Sequence, residues 1–401
     1  MTQVGAPGQL GVASPDPTGL PRVGVVSAWI NPEQPVAYSG VPYGLISEFR
    51  RLGVYAGHRN MTPWIPPAKV IHRWLALTKR LDDGWTLSPE MRVLARASDK
   101  VRALRAPHDV DGWVHIVGGH GRGVRGKYVT ISDMSPSQLL SSSRDRGAYF
   151  AYPNATRYRM EWAAKRQVAI YRHAHRCCVA SRWAADSLVR DHGIEADEVH
   201  VVGYGCNTNF TRPPQRDWGS PRFLFVGWDW KRKNGDAVVR AFQKLRAQVP
   251  DARLDVVGRH PKLDLEGVTG HGPIAVRFPT PVERPTIEVL FASATCFVMP
   301  SLIEPFGIVY VEAAAAGMAS IATSVGGTAD SVGDGGIVVE PHDDDAILRA
   351  MLEICDPDTA RRLGQAAFER SQLFTWKAVG QRVLASLDLA PIPGVDLVQP
   401  L

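Results

Sequence analysis

The feature that most limits what this chain can fold into is an alternation that runs, stops and starts again. Short β-branched runs are each followed by an amphipathic or alanine-rich stretch, the pattern of parallel sheets covered by helices. In the first block "RVGVVSAWI" (22–30) reads as a strand and "PYGLISEFRRLG" (42–53) as a helix closed by Gly53. "GWVHIVGG" (112–119) and "KYVTISD" (127–133) read as further strands, and "EWAAKRQVAIYRHAH" (161–175) as a helix. "RCCVAS" (176–181), "RWAADSLVRDHG" (182–193) and "EVHVVGYG" (198–205) give a strand, a helix and a strand. Residues 54–108, rich in Trp, Pro and basic side chains, support weak helices at best.

Periodicity stops at "NTNFTRPPQRDWGSP" (207–221), a linker by composition. It restarts with strand "RFLFVGW" (222–228), helix "GDAVVRAFQKLRAQVP" (235–250) and strand "ARLDVVG" (252–258). "ERPTIEVLFASA" (283–294) is then a helix, "TCFVMPS" (295–301) a strand and "GIVYVEAAAAG" (307–317) a helix ending at Gly317. "ASIATSV" (319–325) and "GGIVVEP" (335–341) are strands, and two or three helices finish the chain. At 401 residues, two domains are the expectation. In open sheets of this type ligands sit beyond the carboxyl ends of the strands. The loops at 39–44, 228–235 and 300–308 are therefore the candidate walls of a cleft.

Composition narrows the class. With 45% hydrophobic and 21% charged residues the chain can bury a sizeable core. No apolar stretch approaches the roughly 20 residues that a membrane-spanning helix needs. The N-terminus lacks the basic start and apolar run of a signal peptide and reads as a mobile Gly/Pro-rich lead-in. Five cysteines without CxxC or zinc spacing read as reduced, mostly buried thiols of a cytoplasmic protein. Residues 1–220 carry 28 Lys+Arg against 18 Asp+Glu, a net of +10, and residues 221–401 carry 18 against 22, a net of −4. The basic half suits an anionic partner (an acidic glycan, a nucleic acid, a membrane surface contacted peripherally) or is a solvated Arg-rich surface.

Chemistry concentrates in "EPFGIVYVE" (304–312), two glutamates separated by seven residues around a Pro-Phe-Gly bend. A strand ends before it and a helix starts near Gly307, so free backbone N–H groups and the positive end of the dipole face the cleft, which suits a phosphate. The glutamates repel phosphate but accept hydrogen bonds from hydroxyls. Taken alone, such a pair also reads as a solvent-facing Glu304 and a Glu312 that favours the first turn of a helix.

The full string "PSLIEPFGIVYVEAAAAG" resembles the E-x7-E signature of retaining GT-B glycosyltransferases, glycosyltransferase family 4. The likeness continues through "ASIATSVGGTADSVGDGGIVVEP" and "FTWKAV", and reaches back to "FLFVGWDWKRKNGDAVVRAFQKLRAQVPDARLDVVG". In the first half it includes "AYSGVPYGLISEFRRLG", "CCVASRWAADSL" and "VHVVGYGCNTNF". The resemblance implies an α/β GT-B fold of two Rossmann-like domains facing a cleft. Its expected division is a lead-in (1–20), an acceptor domain (21–210), a nucleotide-sugar domain (211–374), a helix crossing back (375–390) and a tail (391–401). It implies metal-independent transfer from a UDP- or GDP-sugar, with retention, to a glycan, lipid-linked or otherwise anionic acceptor. Rival readings are a DNA-modifying transferase acting on a hydroxylated base, a non-catalytic nucleic-acid-binding protein, and a glycoside hydrolase using the two carboxylates.

Residue by residue, the resemblance implies that Glu304 meets the donor sugar and Glu312 the ribose. Phe306, Gly307 and Ile308 would line the donor through backbone N–H groups, and Lys233 would neutralise the diphosphate. The family's arginine five residues before that lysine is replaced by Trp228, and Arg232 is the nearest substitute charge. Gly40 matches the first-loop glycine that lets backbone approach the leaving phosphate; alone it is a turn glycine. Asp133 stands where the family often has histidine, and reads either as an acceptor contact or as a cap of the next helix.

Three decoys are set aside. "GRGVRGK" (121–127) begins like a P-loop but is followed by Tyr128 and a strand-like run, so no ATP site is expected. His173 and His175 lie two apart on the expected helix and face different sides. "HDDDA" (342–346) reads as the acidic start of a helix rather than a metal cluster.

Overall fold

The computed structural model describes residues 19–27, 37–60, 109–116, 124, 126–142, 157–208, 210–274 and 284–401. The first half holds a parallel sheet of β1 (Val23–Ser27), β2 (Tyr55–Asn60), β3 (Gly112–Ile116), β4 (Tyr128–Ser132), β5 (Arg176–Val179) and β6 (Val199–Val201), in the order β2-β1-β3-β4-β5-β6. Its helices are α1 (Val41–Arg51), α2 (Pro136–Ser141), α3 (Arg157–Tyr171) and α4 (Arg182–His192). The β-branched density of β1, β3 and β4 follows from their position: every residue of these strands is buried, as a sheet covered on both faces requires.

The second half repeats the scheme with β7 (Arg222–Gly227), β8 (Arg253–Gly258), β9 (Val268–Gly272), β10 (Cys296–Met299), β11 (Ala319–Thr323) and β12 (Gly336–Val339). All are parallel, in the order β12-β11-β10-β7-β8-β9. The helices are α5 (Gly235–Arg246), α6 (Arg284–Ser293), α7 (Ile308–Ala315), α8 (Thr328–Val332), α9 (Asp344–Ile354) and α10 (Pro357–Ser371). Gly258 is needed where β7 and β8 end: its φ is +118° and a Cβ there would fall 1.8 Å from the Gly227 carbonyl oxygen.

The last helix, α11 (Trp376–Ala385), packs against α1 of the first half. A side chain at Gly44 or Gly205 would overlap the Trp376 indole, and one at Gly380 would meet Glu48. Val379, Val383 and Leu384 of α11 join the first half's core, together with Phe306 and Val311 from the second half. Arg382, 1% exposed, donates to the carbonyls of Val202 and Leu373 at 3.2 and 2.6 Å, fixing the returning chain.

Several expectations shift. Residues 55–60, expected to be weakly helical at best, form the edge strand β2; 61–108 lie outside the described residues. The helix expected over 161–175 runs four residues earlier, ending at Tyr171. His173 and His175 are therefore on a turn, and His175 Nε2 pairs with Asp388 at 2.9 Å. The short strand β9 and the one-turn α8 had no sequence signal. Of "GRGVRGK", residues 121–123 and 125 lie outside the described set, and the segment leads into strand β4, not the helix of a P-loop. "HDDDA" opens α9, with Asp343 capping it by accepting from the Ala346 N–H at 2.8 Å. No disulfide forms; Cys177, Cys178 and Cys296 are buried and Cys206 and Cys355 half-buried. No helix of the described residues is long and apolar enough to cross a membrane.

Candidate functional site

In the second half the loops after β7 and β10 are joined. The Leu302 N–H donates to the Arg232 carbonyl at 2.8 Å and Arg232 Nη1 donates to the Ile303 carbonyl at 3.1 Å. Asn234, in the left-handed region with φ +61°, donates from Nδ2 to the carbonyls of Pro300 and Pro341 at 3.1 and 2.6 Å. This stitching brings together residues some seventy positions apart. Glu304, 6% exposed, accepts on Oε2 from Lys233 Nζ, from Arg232 Nη1 at 3.3 Å and from Ser301 Oγ at 3.4 Å. Burial alone would raise the Glu304 carboxyl; Lys233 and then Arg232 outweigh it and hold the group below its ordinary range. Glu304 is a fixed, ionised carboxylate.

Gly307 follows with φ +77° and opens the eight-residue α7, whose N-terminus has no side-chain cap. A Cβ at Gly307 would sit 2.5 Å from the Tyr310 ring, so the bend needs glycine. The Phe306 side chain turns away from the loop, 1% exposed, and stacks edge-on with Tyr204 and Phe374. Ile308 packs against the same cluster. The Phe306 side chain is withdrawn, and the backbone of 306–308 lies at the positive end of α7.

The first half supplies a matching end. Tyr38, Ser39 and Gly40 are left-handed in succession, with φ of +44°, +54° and +83°. Gly40 then opens α1, which also lacks a side-chain cap. Two non-glycine residues held there mark a strained loop that surrounding contacts must enforce. One such contact is the Tyr38 hydroxyl, which donates to Asp133 Oδ1 at 3.0 Å and lies 3.3 Å from the Tyr204 hydroxyl. Asp133 follows β4 and is not a cap: Ser135 caps α2, in a reciprocal box with Gln138. Burial pushes the Asp133 carboxyl up to about 6, with Tyr38 drawing it down and the charge of Glu304 pushing it up.

The two ends meet at Asn207. Its Nδ2 donates to the Ser39 carbonyl at 3.0 Å and to Glu312 Oε1 at 3.2 Å, while Oδ1 accepts from the Trp376 indole N–H at 3.1 Å. Glu312 is half-buried on α7. Burial pushes its carboxyl up to about 7, with the Asn207 amide opposing. A second contact between halves lies at the start of α4, where Arg182 pairs with Asp330 through its backbone N–H at 2.6 Å and Nη1 at 2.8 Å.

Glu304, Lys233 and Arg232 are therefore one cluster, with Gly307 and Ile308 beside it; Glu312 and Gly40 are joined through Asn207, and Asp133 stands opposite. Arg232 is committed to Glu304 and the Ile303 carbonyl. At the end of β7, Trp228 is 58% exposed, with the Arg259 guanidinium 4.3 Å above its ring. Tyr38, Tyr204 and Asn207 were missed as site residues. Tyr204 and Asn207 lie in "VHVVGYGCNTNF", but nothing local distinguishes them from a strand end and a linker.

Residues 220–356 match the family model described as "Glycosyl transferases group 1". The chain is 32% identical over 243 residues to D-inositol 3-phosphate glycosyltransferase of Nocardioides sp., covering 50% of this chain and 53% of the relative. With the enzyme of the same name from Streptomyces avermitilis it shares 34% over 217 residues, 48% and 47% of the two chains. The chain thus spans about half the length of the curated relatives it matches. Among solved structures, sucrose-phosphate synthase from Thermosynechococcus elongatus superposes with a TM-score of 0.63 at 19% identity, over 91% of this chain and 98% of that one. WaaG, a glycosyltransferase involved in lipopolysaccharide biosynthesis, gives 0.60 at 13% identity, over 92% and 100%. At such identities the likeness shows the fold: two facing Rossmann-like domains, the GT-B arrangement. The second half carries a glycosyl transferases group 1 domain.

Proposed function

We propose that the chain is a glycosyltransferase that moves a sugar from a nucleoside-diphosphate donor to an acceptor hydroxyl with retention of anomeric configuration. The observation that carries this reading is the buried Glu304 carboxylate, held by Lys233 and Arg232 beside the uncapped N-terminus of α7. A carboxylate for sugar hydroxyls and a cation and helix end for a diphosphate stand within one loop pair. The family match over 220–356 supports the same assignment.

In the reaction the bond from anomeric carbon to phosphate oxygen breaks while the acceptor oxygen bonds the same face of that carbon. The acceptor's proton passes to the departing phosphate oxygen. Lys233 and the N–H groups of Gly307 and Ile308 stabilise the negative charge that grows on the diphosphate, a role matched to the transition state. This needs no metal ion. Glu312 accepts from the ribose hydroxyls. Gly40 and the start of α1 approach the phosphate from the other half, and Asp133 orients the acceptor. The donor is a UDP- or GDP-sugar, and residues 21–210 and 211–374 serve acceptor and donor respectively. The acceptor is an anionic, hydroxyl-bearing molecule; the +10 charge of residues 1–220 and the inositol phosphate in the relatives' name support this. A hydrolase is disfavoured because its two carboxylates flank the scissile bond from opposite sides, whereas Glu304 and Glu312 share one loop and the helix that follows it, and a hydrolase has no use for Lys233.

The test is thermal stabilisation by UDP, GDP, ADP, CDP and dTDP, on the wild type and on Lys233→Ala. Stabilisation by one nucleotide, weakened in the variant, is expected. A folded wild type that responds to none of them overturns the donor site. Proton NMR of the product's anomeric signal then reads retention directly.

A further inference from the structure

Asn207 uses both amide hydrogens and the oxygen of its side chain, and its partners come from three separate parts of the chain. The Trp376 indole N–H can only donate, so the amide oxygen must face it. The nitrogen is thereby turned toward Ser39 and Glu312, and its two hydrogens serve one acceptor each. Trp376 is itself wedged against Gly44 of α1 and Gly205, where any Cβ would overlap its ring. The amide's orientation is thus set by packing between α1, α11 and the segment after β6.

On the other side, Asn207 is the one hydrogen-bond partner of the Glu312 carboxylate among the described residues, and it takes only Oε1. Oε2 keeps its lone pairs for a ligand. The same amide holds the Ser39 carbonyl, in the middle of the left-handed turn that leads to Gly40 and the uncapped start of α1. One carboxamide therefore sets the spacing between the carboxylate of one half and the strained loop of the other.

We propose that Asn207 is a positioning residue for donor binding: it aims Glu312 at the ribose and locks the 38–40 turn to it when the two halves meet over the nucleotide. This rests on the donor-site reading above. The groups that act on Glu312 are Asn207 and the neighbouring Cys206. The Cys206 thiol is pushed up to about 12, by burial first and by Glu312 next, so it stays neutral throughout the working range. No described side chain forms an ion pair with Glu312. The Asn207 amide is accordingly the group that favours its charged form.

The experiment is calorimetric titration of the full chain with whichever of UDP or GDP binds the wild type, between pH 5.5 and 8.5. The variants are Asn207→Ala, Trp376→Phe and Glu312→Gln. Wild-type affinity falls as pH drops through the Glu312 range. Asn207→Ala should weaken binding about tenfold and move that midpoint to higher pH, because the lost amide no longer supports the carboxylate. Trp376→Phe keeps an aromatic ring between Gly44 and Gly205 but removes the N–H that orients the amide, so it should weaken binding about threefold and move the midpoint in the same direction. It also supplies the test if Asn207→Ala fails to fold. A merely structural Asn207 would lower the melting temperature and leave the midpoint where it is, which overturns the proposal. If Glu312→Gln weakens binding and neither other variant does, the inference fails while the donor site stands. If the wild type binds no nucleotide, the donor-site reading fails first.

Discussion

Glu304 and Glu312 stand at the two ends of one segment, yet their surroundings are opposite. Glu304 lies in a loop against Lys233 and Arg232, and its charge is fixed by them. Glu312 lies on the first turns of α7 with a single neutral amide for company, and burial brings its carboxyl to about 7. Both can accept hydrogen bonds from hydroxyls, but only one is certain to be charged at neutral pH. Under the proposed function the segment separates two tasks: an electrostatic anchor near the reacting bond, and a softer contact that responds to pH.

The largest effect should come from breaking the anchor. Lys233→Met removes the cation and leaves Glu304 buried with Arg232 alone. Breaking a buried pair costs about 3 kcal/mol, nearer the lower end of the usual range because Arg232 remains. Turnover should fall by about a thousandfold, the scale of losing a transition-state charge stabiliser. Denaturant unfolding and initial rates check the two parts separately. Adding Glu304→Gln to Lys233→Met should recover most of the stability and none of the activity. If stability does not recover, Lys233 supports the loop by something other than its pairing with Glu304.

Glu304→Gln alone keeps the loop's shape and removes the charge. Activity should drop about a hundredfold with the nucleotide affinity little changed, since the sugar end rather than the diphosphate loses its contact. Glu312→Gln should do the reverse: nucleotide affinity about tenfold weaker, and its dependence on pH flattened. The sign for stability is opposite to that of an ion-paired carboxylate. A folded value raised above the ordinary one means the native state binds the proton more tightly, so stability falls as pH rises from the usual carboxylate range to about 7. Glu312→Gln should therefore stabilise the nucleotide-free protein at pH 8, by about 1–2 kcal/mol after allowance for partial exposure. At pH 4 the gain should vanish. Melting curves at both pH values decide it.

What was legible follows the same physics. Strands buried on both faces announce themselves as apolar runs, so β1, β3, β4, β7, β8, β10 and β11 were all marked within a few residues. Of the four edge strands, β6 and β12 keep enough valine to be marked, whereas β2, "YAGHRN", and β9, "VTGHG", were not: an edge needs little apolar side chain, and in β9 every residue stays half-buried or exposed. The α3 helix slipped because its end depends on a distant bond, the His175 N–H to the Tyr128 carbonyl at 2.7 Å. Within the site, Glu304 was marked by the string that carries the family resemblance, and Lys233 by that resemblance alone. The Tyr38–Asp133 and Asn207–Glu312 bonds join residues 95 and 105 positions apart, and no local pattern carries such a pairing. The choice between cap and cleft for Asp133 turned on Ser135, whose better cap geometry left the aspartate facing Tyr38.

The smallest expected effect concerns charge near the anchor. Lys233 and Arg232 are both engaged by Glu304, and Arg232 Nε also lies 3.7 Å from Asp229, so the cluster presents little net positive charge to a diphosphate carrying more than one negative. Arg259 follows β8, directly beside Trp228 at the end of β7, and among the described residues its guanidinium has no carboxylate partner, only the indole face beneath it. Gly227, which precedes Trp228, lies close to the Lys233 stem: a Cβ there would fall 3.1 Å from Lys233 Cγ. An exposed arginine so placed adds a screened attraction, and Arg259→Ala should weaken nucleoside diphosphate binding about threefold, with the loss disappearing at high salt. Nucleoside monophosphate should show less of it. Trp228→Arg in the Arg259→Ala background restores a cation one residue away and should recover the affinity. Equal losses for diphosphate, monophosphate and nucleoside would mean that Arg259 only supports the Trp228 face, and the anchor's own charge would then suffice.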